Sequence, residues 1–173
     1  MENAAHSDSQ ASSAEVQSQT LVTRRYIRLH LLVGWWSLLA FVAMGILLEI
    51  MQGFRVPAYM NVGDEEMRRQ MWTLAHAHGV LISLVHFAFV ITIFVVGTSA
   101  SRCIGLASCC LISAGILMPV GFFLGGLFIY PGDPGLGVFL VPPGALLLFV
   151  AVCLTGVAVT RSHGLAVGTS NEA

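Results

Sequence analysis

Apolar residues in this chain come in four long, nearly unbroken runs, at roughly residues 29–51, 71–96, 104–130 and 136–160. They neither alternate as in a strand nor form the narrow stripe of a soluble helix. A helix needs about 20 apolar residues to cross the hydrocarbon core of a bilayer, and each run meets that length with few charges inside. The pattern predicts an all-α, polytopic membrane protein. A bundle of four transmembrane helices would occupy residues 24–163 as one domain. The first run exceeds the apolar core of a signal peptide, about 7–15 residues, and no small-residue cleavage site follows it, so it is read as a retained helix.

The segments between the runs are punctuated accordingly. Gly53 and Pro57 are placed to end the first helix, and Asp64 to cap a second that opens with Glu65 and Glu66. Tyr130-Pro-Gly-Asp-Pro-Gly135 is a dense turn signal. Pro142-Pro143 then suits a first helical turn, so residues 135–141 are expected to approach the fourth helix as an extended or re-entrant segment. Residues 1–23, rich in Ser, Ala, Gln and acidic side chains, read as a disordered tail. Residues 164–173 read as a second, shorter one.

Composition sharpens this picture. Only 10% of residues are charged while 56% are hydrophobic, against about 25% charged in a soluble domain. That shortage is what a surface facing lipid requires. The net charge of −1 gives no reason to expect a nucleic-acid partner. All eight basic residues are Arg, and Arg24, Arg25, Arg28, Arg102 and Arg161 fall on one side of the predicted topology. By the positive-inside rule both termini are expected to be cytoplasmic. Arg55, Arg68 and Arg69 lie opposite, beside Asp64, Glu65 and Glu66. Cys103, Cys109, Cys110 and Cys153 sit in or beside apolar runs, which argues against a secreted disulfide framework. Small residues recur on one face of the first helix (Gly34, Ser37, Gly45) and on the third (Gly105, Ser108, Gly115, Gly126, and Gly121-x-x-x-Gly125). Such stripes serve close helix packing or association into a homo-oligomer or larger membrane complex.

Ionisable groups inside a membrane span are functional hypotheses by default. Here they are Glu49 in the first helix and His76, His78 and His86 in the second. At about 100° per residue, His76, Ser83 and His86 share a stripe with Trp72, while His78 points elsewhere. His76 and His86 are about 15 Å apart along the axis, too far to share one ion. In an antiparallel pair Glu49 lies level with residues 72–75, within about a turn of His76. His76 with Glu49 is therefore a candidate metal half-site or proton-relay entrance, and His76, His78 and His86 are candidate cofactor ligands for haem or a transition metal. The structural alternative is a buried polar pair that fixes helix register. His30, two residues after Arg28, reads as interfacial, and Trp72 as part of an interfacial aromatic belt. No nucleotide loop, zinc-protease helix or serine-nucleophile elbow is present, and no soluble domain of any size is available to house conventional catalysis.

Residues 72–89, with Ala77-His78-Gly79 and a following apolar run, resemble the second helix of haem-copper oxidase subunit I. The resemblance implies His78 as an axial ligand to a low-spin haem, which requires a second histidine from another helix. Taken whole, the chain resembles small four-helix integral membrane proteins of bacteria. Two function classes stay open: a redox-, haem- or metal-related accessory of a respiratory membrane, and a scaffold subunit whose buried polar residues only fix packing. A channel would need a polar path, for which Ser37, Ser83, His86 and Ser113 are the available residues.

Overall fold

The computed structural model describes residues 2–60, 64–96, 101–130 and 133–168. They form α1 (Glu2–Gly53), a short α2 (Pro57–Met60), α3 (Asp64–Val96), α4 (Ser101–Leu127), a 3-10 segment (Leu136–Leu140) and α5 (Val141–Gly168). Four of these helices are long and apolar enough to cross a membrane.

Helix α1 runs well beyond its apolar part. The polar stretch read as disordered continues the same helix back to Glu2. No Gly or Pro occurs between residues 2 and 33, and Ala, Gln and Glu are good helix formers. At the other end Gly53 stays helical, and the termination falls two residues later. Arg55 takes φ 50, with Arg55 N–H donating to Gln52 (3.2 Å) and Val56 N–H to Met51 (3.0 Å). This is the Schellman arrangement, with Arg in the left-handed position that Gly usually fills. Pro57 then opens α2, where its missing N–H costs nothing.

Helix α1 packs on α3, α3 on α4 and α4 on α5, while α1 and α5 do not touch among the described residues. The bundle is thus a row with an open side between α1 and α5, and with lighter contacts of α1 on α4 and of α3 on α5. Its core lies between α3 and α4, where Ile82, Phe89, Ile93, Ile104, Ala107 and Leu111 are buried. The two outer helices leave large apolar side chains uncovered, among them Trp36, Ile46, Leu146 and Phe149.

The approach to the last helix is the compact 3-10 form rather than extended. It packs against α4, which gives this irregular backbone protein surroundings. Gly135 N–H donates to the Gly125 carbonyl at 2.8 Å, and a Cβ on Gly121 would lie 3.0 Å from the Gly137 oxygen. The Gly121-x-x-x-Gly125 stripe is therefore occupied from within the chain, which accounts for it without a second copy. Pro142 and Pro143 fall in the first turn of α5.

Candidate functional site

One seam of α1 carries His30, Gly34, Ser37, Phe41, Gly45 and Leu48. Their spacings of three and four place them within a narrow arc at about 100° per residue. They face His86, Ser83, Gly79 and His76 of α3 in antiparallel order. Close approach is enforced by glycine. The Phe41 ring lies where a Cβ on Gly79 would stand, and the His76 ring lies where a Cβ on Gly45 would stand.

Three buried side chains from three helices meet at one end of this seam. His30 Nδ1 is 2.6 Å from His86 Nδ1, and His30 Nε2 is 2.8 Å from the Ser108 hydroxyl. His30 is 0% exposed, His86 1% and Ser108 3%, and the His30 ring also stands edge-on to Phe89 at 4.6 Å. His86 Nε2 is buried with no hydrogen-bond partner. It faces α4, 3.4 Å from where a Cβ of Gly115 would stand. Pro119, one turn on, cannot supply the N–H that the Gly115 carbonyl would otherwise accept.

The orphan nitrogen favours one of the proton orders that the distances allow. A buried unpartnered acceptor is less costly than a buried unpartnered N–H, so Nε2 of His86 is the bare nitrogen and its Nδ1 holds the proton. His86 Nδ1–H then donates to His30 Nδ1, and His30 Nε2–H donates to the Ser108 oxygen. The chain of donors is directional, and reversing it takes one proton delivered to His86 Nε2 and one withdrawn from the Ser108 hydroxyl. A metal ion does not fit between the rings. Two nitrogens on one tetrahedral zinc, each bonded at about 2.0–2.1 Å, stand more than 3 Å apart.

This corrects the interfacial reading of His30. Position along the chain put it at the mouth of a helix, but its face turns it into the interior. The missed signal lay in the stripe itself, since His30 precedes Gly34 by one turn on the same small-residue face. Ser108 belonged to the corresponding stripe of α4.

The other candidates are placed differently. His76 is half-buried, and its Nδ1 donates to the Phe41 carbonyl at 2.7 Å. Glu49 is exposed, and no hydrogen bond or ion pair joins it to His76. The depth argument puts Glu49 at the right level. Yet it stands about 100° around the helix from Leu48, the residue that occupies the seam there. His78 donates from Nδ1 to Leu74 of its own helix at 2.9 Å, and its ring tilts against Phe122 at 4.9 Å. The histidines that meet are His30 and His86, and His78 is bonded through Nδ1 only, to its own helix. No group of three or more His, Cys, Asp or Glu among the described residues is placed to hold a metal ion. Trp72 is more than an interfacial anchor. It lies parallel to Tyr59 and Phe123, beneath the Arg68 guanidinium, and donates to the Phe123 carbonyl.

Between the two histidine positions the Ser37 and Ser83 hydroxyls are 2.7 Å apart. The Phe41 ring, seated on Gly79, separates them from His76. The polar residues on the seam therefore form two segments with an aromatic ring between them. Comparison of the chain with protein-family models, with curated proteins and with solved structures gives no match.

Proposed function

We propose that this chain is an integral membrane protein of the bacterial inner membrane, with both termini cytoplasmic, that handles protons as a small accessory of a respiratory membrane. The observation that carries the reading is the buried Ser108–His30–His86 chain, with His30 and His86 only 2.6 Å apart. Buried polar groups in a membrane span are expensive, and histidine is the side chain that exchanges protons most readily near neutral pH. A proton arriving at His86 Nε2 lets the Nδ1 proton pass to His30. The Nε2 proton of His30 then passes to the Ser108 oxygen, and a water molecule must take up the serine's own hydroxyl proton. One proton enters, one leaves, and the two imidazoles exchange tautomers.

The competing reading is a scaffold whose polar residues fix packing. The same triad favours it, because it ties α1, α3 and α4 together. Proton uptake into liposomes holding the purified protein, driven by a potassium gradient with valinomycin and read by an internal pH dye, separates the two. The proposal requires faster uptake than in empty liposomes and its loss in His86→Leu. Uptake equal to that of empty liposomes overturns it in favour of the scaffold.

A further inference from the structure

On the side of α1 away from the seam, Arg24, Ile27, Arg28, Leu31, Leu32, Trp35 and Trp36 line an open hollow of about 380 Å³. We propose that it holds one anionic phospholipid, its phosphate on Arg24 and Arg28 and an acyl chain along the leucines and tryptophans. The proposal rests on the reading of α1 as a membrane span, and it makes no use of the histidine chain.

The charge and the dimensions select this occupant. Arg24 and Arg28 stand one turn apart on the same face, both exposed, and α1 has no acidic residue between Glu15 and Glu49 to neutralise them. Below them the surface is wholly apolar, with Trp35 63% and Trp36 69% exposed. From Arg28 to Trp36 is about 12 Å of helix rise, which fits within one leaflet's share, about 15 Å, of the hydrocarbon core. The open side of the row leaves this face free of α5. A second copy is a poor occupant. Two chains related by a two-fold axis along the membrane normal would bring their arginine pairs together on this face, and like charges repel.

Native mass spectrometry of the full chain, extracted from mixed phosphatidylglycerol and phosphatidylcholine membranes, tests the site. Phosphatidylglycerol should be retained in preference to phosphatidylcholine. Arg24→Gln/Arg28→Gln should weaken that retention by about ten- to thirty-fold, whereas Arg161→Gln should not. Added inorganic phosphate should not displace the lipid. Equal retention of the two lipids, unchanged retention in the double variant, displacement by phosphate, or a lipid-free dimer each overturns the proposal. Because this measurement involves no proton transfer, its failure leaves the histidine relay untouched, and failure of the relay leaves the lipid site standing.

Discussion

His76 and His86 lie on the same stripe of α3 and face the same helix, yet they are provided for in opposite ways. His76 gives its proton to a backbone carbonyl of α1, Phe41, which the helix presents whatever the side chain. His86 meets another imidazole, which in turn needs a serine from a third helix, and it keeps one nitrogen with no partner. The first arrangement is closed and local. The second is open at one end and depends on three helices being in place. A buried polar group that only anchors helices is well served by the first solution. The second leaves one buried nitrogen unpartnered, and the proposed proton transfer starts from it.

The largest effect expected from this contrast is on stability. His30→Ala removes a fully buried ring and leaves both His86 nitrogens and the Ser108 hydroxyl without partners, so a loss of about 3–5 kcal/mol is expected. His76→Ala gives up one hydrogen bond to a carbonyl that the helix already uses, a loss of about 1 kcal/mol. Unfolding in mixed micelles reads both, and equal losses would break the distinction between the two positions. Gly79→Ala comes next. Its Cβ would enter the space of the Phe41 ring, and overpacking of this kind costs about 1–3 kcal/mol. The same unfolding assay checks it, and a stability gain would mean that the seam is looser than described. Glu49→Gln should have the smallest effect, within about 0.5 kcal/mol, as for exposed residues generally. Any measurable drop in stability or in proton uptake would restore Glu49 to the site.

Much of the architecture was legible in the runs of apolar residues, because length and composition alone decide whether a helix can cross lipid. Depth was legible as well. Antiparallel helices of equal rise put Glu49 level with residues 72–75, and the contacts between Gly45 and His76 keep that register. What the sequence did not yield was rotation. An all-apolar helix has almost no polar face from which to read its orientation, so a residue such as Glu49 was assigned to a neighbour on depth alone. His30 was missed for the complementary reason. Its closeness to Arg28 suggested water, while its membership of the Gly34–Ser37–Gly45 face was the better guide. The helical N-terminal stretch was hidden by composition, since polar residues that cannot form a core can still continue a helix that starts elsewhere.

The sequence separation within the triad has a consequence for how the protein is made. His30 precedes His86 by 56 residues and Ser108 by 78, so during synthesis it is made well before either partner exists. Until then its ring can turn outward beside Arg28 and stay wetted. The interfacial position that its neighbours suggest is thus suited to the nascent chain, and the buried one to the finished protein. His30 is fully enclosed only when the third long helix has arrived, so its burial closes the three-helix core on which α5 then packs.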